Sequence, residues 1–166
     1  MFRTMRRFKQ QLPEEEVHRI LAEGQTLVLA VHGDDGYPYA VPLNYVYHDG
    51  KIFVHCAKSG HKLDAIQRDP KCSFTVIERD DVVPEKLATY YRSVIAFGHA
   101  RILEDDDEKR RAAEVLGLHY YNVPEAVQRE IETTWNALVC VEITIDHMTG
   151  KEARDLMMQR RNGVNS

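Results

Sequence analysis

The densest chemistry in the chain lies in six consecutive residues, Ala57-Lys58-Ser59-Gly60-His61-Lys62, followed by Leu63-Asp64. They fall between a strand-like run at 51–57 and a helical segment at about 59–68. Cations in the first turn of a helix are disfavoured by about 0.3–1 kcal/mol each, because that end of the helix dipole is positive. Lys58, His61 and Lys62 therefore make better electrostatic sense around a bound anion. Free backbone amides, the Ser59 hydroxyl and lysine ammonium groups would together form a phosphate cradle. A solvated basic loop with Ser59 as the helix cap accounts for the same residues, and the residue types do not decide between the two.

Three weaker signals accompany it. In Tyr39-Ala40-Val41-Pro42-Leu43-Asn44-Tyr45 a proline interrupts a strand. Such a break leaves backbone groups that a planar heterocycle could pair with, Asn44 adding an amide contact; an edge strand guarded by proline is the plainer reading. His55 sits one strand step before the cradle, on the face opposite Val54 and Cys56. It could give a proton to a reduced substrate, although a satisfied core histidine is the commoner outcome. Trp135, the single tryptophan, either stacks on a cofactor or fills the core. His55, Cys56 and His61 do not read as metal ligands, since neighbouring strand residues point to opposite faces. Nucleophile-elbow, phosphate-loop and dinucleotide fingerprints are missing.

The elements that must position these residues are mostly strands. Pro13 and Glu14 to Glu16 open a short helix with Val17, Ile20 and Leu21 on one face and Gly24 at its end. Residues 26–31 are apolar on both faces and should be covered on both. Gly33-Asp34-Asp35-Gly36 and Asp49-Gly50 are turns, making 26–31, 37–47 and 51–57 an antiparallel meander. Pro70 stops the helix at 59–68. A strand at 72–77 follows, then a polar loop at 79–92, and a long strand at 93–103. Its small apolar face, Val94, Ala96, Gly98, Ala100 and Ile102, suits a barrel interior. Helices are predicted at 105–116 and 124–133, and a closing strand at 137–145. Hairpins without a βαβ repeat point away from a doubly wound parallel sheet. The expected class is mainly β with helices (α+β), a small closed barrel of six strands, in a single domain over 1–166. A basic arm covers 1–11 and a polar tail 156–166, frayed from Gln159.

Composition bounds the partners. The net charge of −4 disfavours nucleic acid, and no apolar run approaches a membrane span. The arm lacks the apolar stretch of a secretory signal. Cys56, Cys72 and Cys140 read as buried free thiols of a reducing compartment, so a cytoplasmic location is expected.

Taken in order, these segments resemble the pyridoxamine 5′-phosphate oxidase-like superfamily of FMN-binding split barrels, and within it the nitroimidazole-resistance (NimA-like) group. The matching stretches are Gly36-Tyr37-Pro38, Pro42-Leu43-Asn44-Tyr45, Ile52 through Ala57 and Gly60-His61-Lys62-Leu63-Asp64. Further on they are Phe74-Thr75-Val76, Tyr91 through Arg101 and Asp146 through Glu152. The resemblance covers about residues 5–155. It implies a six-stranded antiparallel split β-barrel with FMN at a two-fold homodimer interface. The phosphate would lie at Lys58, Ser59, His61 and Lys62, and the ring along Val41, Pro42, Leu43 and Asn44. His55 would face the flavin, with Cys56, Ala57 and Gly60 beside the cofactor. Ser93, Val94 and Ile95 would approach from a neighbouring strand, and Trp135 from the other subunit. The C-terminal arginine- and histidine-bearing motif of true pyridoxamine phosphate oxidases does not match Gln159-Arg160-Arg161-Asn162-Gly163.

The expected activity is FMN-dependent oxidoreduction. A reduced nicotinamide would supply electrons to a small electron-poor substrate such as a nitroaromatic, with His55 as proton donor or orienting group. A non-catalytic flavin- or haem-binding module is the rival, and a deazaflavin (F420) barrel ranks third.

Overall fold

The computed structural model describes residues 1–163. Helix α1 spans Glu14–Glu23, with Pro13 at its N-cap and three acids in its first turn. Strand β1 (Thr26–His32) turns through Asp34–Gly36 into β2 (Pro38–Asn44). After Tyr45 come β3 (Val46–His48), a tight turn with positive φ at Asp49 and Gly50, and β4 (Lys51–Ala57). Helix α2 (His61–Arg68) leads to β5 (Lys71–Val83) and β6 (Ala88–Ile102). Helices α3 (Asp106–Tyr120) and α4 (Pro124–Thr134), strand β7 (Leu138–Glu152) and α5 (Arg154–Arg161) complete it.

All strand pairs are antiparallel, in the order β2-β1-β5-β6-β7-β4-β3. The two ends of that order, β2 and β3, are one stretch of chain bent at Tyr45. The sheet therefore closes on itself, and the expected split barrel is what the chain forms. Seven strand segments arise from the six expected strands because one is broken at the bend. Both prolines of 37–47 are accommodated in β2, which pairs only with β1, as a ladder without Pro N–H groups requires.

The interior holds the inward faces of the strands, among them Leu27, Leu29, Ile52, Val54, Phe74, Val94, Ala96 and Ile143. It is closed by Ile20 and Leu21 of α1 and Leu63 and Ile66 of α2. Two glycines leave room for close neighbours. A methyl on Gly24 would strike the Tyr45 hydroxyl, and one on Gly98 the Thr144 carbonyl, where the β6–β7 register shifts.

The bend at Tyr45 is pinned from α3. The Tyr45 amide donates to the Tyr120 hydroxyl at 3.1 Å, and the carbonyls of Gln25 and Tyr45 each lie 2.7 Å from that hydroxyl, which donates to one of them. Tyr45 Oη in turn donates to the Leu21 carbonyl at 2.8 Å. Tyr120→Phe removes the first set without changing shape. It is expected to lower unfolding free energy by about 1–2 kcal/mol, measured by urea denaturation.

Several expectations are corrected. Strand β1 is buried on one face only: Leu27, Leu29 and Val31 point inward while Val28 is 37% exposed. Residues 79–92 are not a loop. They extend β5 and β6 into a long hairpin around Pro84–Lys86, because Val83, Ala88 and Tyr90 find apolar partners in Ala153 and Leu156. The frayed tail is instead α5 through Arg161, with Leu156 and Met157 buried; 164–166 lie outside the described residues. The helix at 105–116 runs on to Tyr120, capped by the Asp105 carboxylate on the amides of Asp107 and Glu108. The arm at 1–11 is partly fixed: Phe8–Gln10 form a 3-10 turn, Gln10 is buried, and Gln11 bridges to Lys151.

Candidate functional site

Alternation along β4 places Ile52, Val54 and Cys56 toward the interior and Phe53, His55 and Ala57 outward. Helices α3 and α4 pack on this outer face. Ala112, Ala113, Val127 and Ile131 meet Leu103, Cys140 and Phe53 in a second apolar cluster. Beyond Phe53 the cover parts from the strand and leaves a cavity of about 400 Å³. Its walls include His55, Ala57, Leu116, Gly117, Tyr121, Val127, Ile131 and Leu138. The polar groups it offers are the His55 imidazole, the Tyr121 hydroxyl, Thr134 and the Glu130 carboxylate. The Thr134 hydroxyl is already donated to the Glu130 carbonyl at 2.8 Å.

The strand that floors the cavity ends at Ala57, and the basic turn follows it in the chain. Lys58, Ser59 and Gly60 are exposed, and Gly60 takes φ +144° at the N-cap of α2. No side chain caps this helix, so Ser59 is not the cap. The amides of Leu63 and Asp64 both donate to the Gly60 carbonyl, at 2.9 and 3.3 Å. Those of His61 and Lys62 have no acceptor within the helix. Among the described residues neither Lys58 nor Lys62 has a carboxylate within 4.0 Å. The donor set therefore fits a phosphate group. The His61 ring does not add to it: it packs on Tyr39, centroids 4.2 Å apart, with Nε2 3.4 Å from Asp34.

Arg68, which sequence reasoning passed over, locks α2 against the β1–β2 turn. It holds Asp34 at 3.1 Å and the carbonyls of His32 and Gly33 at 3.0 and 3.2 Å.

The other predicted positions spread out. In β2, Pro42 and Asn44 face outward while Val41 and Leu43 pack on the core. The Asn44 amide donates to the Gln25 carbonyl at 3.1 Å. Strand β6 is not a neighbour of β2: the row Pro42, Val28, Thr75, Ile95 has two strands between its ends. At one strand spacing per step those ends are roughly 14 Å apart. Ser93 and Ile95 face outward and Val94 inward. Trp135 ends α4 under Lys109 and Arg110, whose cationic groups lie 3.9 and 4.8 Å from its ring.

The thiols are poor nucleophiles. Burial pushes Cys72 up to about 12 and Cys140 up to about 11. It raises Cys56 too, against the pull of Lys62.

The family described as pyridoxamine 5′-phosphate oxidase matches residues 13–152. The chain belongs to the pyridoxamine 5′-phosphate oxidase family. Solved structures agree on the fold. A conserved hypothetical protein of Mycobacterium tuberculosis is 23% identical over 92% of each chain, with a TM-score of 0.78. A candidate 5-nitroimidazole antibiotic resistance protein of Bacteroides thetaiotaomicron is 22% identical over 86% of each chain, TM-score 0.69. An FAD and haem binding protein of Mycobacterium smegmatis is 18% identical over 91% of this chain and 80% of its own, TM-score 0.71. A search among curated proteins finds no match.

Within this pyridoxamine 5′-phosphate oxidase-family fold, the cavity was the part that sequence reasoning missed. Its signal was the small residues Ala113, Gly117 and Ala126 on helices otherwise rich in long side chains. Gly117 lets α3 and α4 approach closely, since a methyl there would meet Val127 at 2.6 Å.

Proposed function

We propose that the protein is an FMN-dependent oxidoreductase that works as a homodimer and reduces small electron-poor substrates such as nitroaromatics. The observation that carries this reading is the position of His55. It is exposed on the floor of an apolar cavity, three residues before a turn whose two lysines have no counter-charge.

Lys58, Lys62 and the free amides of α2 would hold the phosphate, and the backbone of 41–44 would border the ring. FMN, when bound, supplies the electron transfer. The chain's own residues bind, orient and protonate. The cavity is of a size for a small ring, and its walls are mostly apolar. An imidazole N–H of His55 delivers a proton to the substrate as electrons arrive. The dimer is supported by the outward rows Pro42, Val28, Thr75, Ile95 and Ala40, Ala30, Ser73, Phe97, which expose Val28, Ile95 and Phe97 together. It would bring Ser93 and Ile95 of one subunit toward 41–44 of the other, which a single barrel keeps apart.

Replacing Lys58 and Lys62 together by glutamine is expected to weaken FMN binding about 100-fold, because each lysine supplies one charge-assisted hydrogen bond to the phosphate. Fluorescence titration measures it, and an unchanged dissociation constant would remove this turn from the phosphate site. The activity itself is tested by mixing the FMN-loaded protein with a reduced nicotinamide and a nitroaromatic under anaerobic conditions. Nicotinamide oxidation that needs both protein and nitroaromatic supports the reading. Bound flavin without turnover favours the non-catalytic alternative, a flavin or haem holder, for which the similarity to the Mycobacterium smegmatis FAD and haem binding protein is the argument.

A further inference from the structure

Away from the cavity, Arg6, Arg7, Lys9 and Arg154 line a groove of about 270 Å³ between the N-terminal arm and the start of α5. Among the described residues none of the four has a carboxylate oxygen within 4.0 Å. Elsewhere Arg19, Arg68, Arg79, Arg92, Arg101 and Arg160 are paired with acids; here four cations share one groove without a counter-charge. The acid nearest in sequence, Asp155, lends its field to Lys86.

Nor are these cations on a loose end. The Gln10 amide donates to the Arg7 carbonyl at 2.9 Å, and the buried Gln10 side chain donates to the Glu152 carbonyl at 3.1 Å. The Leu12 amide donates to the Gly150 carbonyl at 3.0 Å. Met157, buried, and Phe8 form apolar walls. Four like charges held on a fixed backbone repel one another, so the arrangement is stabilised by an anion that touches several at once. Guanidinium forks match phosphate oxygens bidentately. The volume lies at the small end of ligand pockets, about 300–1,000 Å³, which suits a small anion. The net charge of −4 makes this a local attraction, not a general affinity for anions.

We propose that this groove is a second binding site, for a small free phosphate polyanion: pyrophosphate, or the phosphate end of a metabolite. The inference is independent of the flavin reading.

The test is calorimetric titration of the full chain with inorganic pyrophosphate. It is done in the Lys58→Gln/Lys62→Gln background so that the other basic turn cannot contribute. Saturable binding of one pyrophosphate per chain is expected. Arg7→Glu and Arg154→Glu should each weaken it by at least about tenfold, as removal of one charge-assisted hydrogen bond implies, with no fall in the thermal midpoint. Arg154→Gln should give a smaller loss in the same direction. Absence of saturable binding, or binding indifferent to both arginines, overturns the proposal. So does an arginine-dependent affinity for anionic vesicles or oligonucleotides that pyrophosphate does not compete away.

Discussion

His55→Ala is expected to lower turnover with a nicotinamide donor and a nitroaromatic by about 10²–10⁴-fold while FMN stays bound, the range for loss of a positioned general acid. The separation of the two effects follows from geometry. His55 projects outward from β4 into the cavity, whereas the proposed phosphate donors begin at Lys58, past the end of the strand. The truncation leaves the interior untouched, since Val54 and Cys56 point the other way. Stopped-flow measurement of the flavin signal should place the loss in the half-reaction that reduces the substrate. A matching fall in FMN affinity would make His55 a cofactor contact only, and unchanged turnover would remove it from the mechanism.

Glu152→Ala carries the largest expected structural effect. Its side chain is fully buried at the end of β7. One carboxylate oxygen accepts from Arg160 Nε and Nη2 at 2.9 and 2.6 Å, and the other lies 3.6 Å from Arg92. Removing it strands the Arg160 guanidinium and leaves Arg92 with Glu78 alone, at a cost of about 3 kcal/mol. The low end of the range applies because the Arg160 and Arg92 side chains keep 30% and 19% exposure and partly rehydrate. Urea denaturation followed by circular dichroism checks it; a loss under about 1 kcal/mol would show that the cluster is held by solvent rather than by Glu152. The C-terminal Arg160 is thus occupied structurally, which removes one group from any substrate role.

Where local pattern and tertiary packing agreed, the sequence was readable. Helix α1 was marked by Pro13, its three acids and the spacing of Val17, Ile20 and Leu21. The strands through 26–57 were marked by alternation and by turns that need positive φ. The hairpin at 79–92 was hidden because Glu78, Arg79, Asp80 and Asp81 look like a solvated loop. Only pairing with the partner strand and the packing of Tyr90 on Leu156 make it a strand. The same holds for α5, whose ion pair with Glu152 joins residues close in space through two different elements. At the site, His55 and the turn at 58–62 were legible because they are contiguous. The cavity was not, since its walls come from β4, α3, α4 and the start of β7. The placement of the His61 ring was not legible either, because its partners Tyr39 and Asp34 lie across the fold. Strand order, which separates Ser93 to Ile95 from Val41 to Asn44, is a property of closure that no local window contains.

The measurement that bears most directly on the central claim is the visible spectrum of the purified protein after gel filtration with excess FMN. Flavin bands that travel with a peak of dimer mass, at one FMN per chain, and that vanish on replacing Lys58 and Lys62, are the predicted result. A peak without flavin absorbance, or one that carries a Soret band instead, would contradict the account.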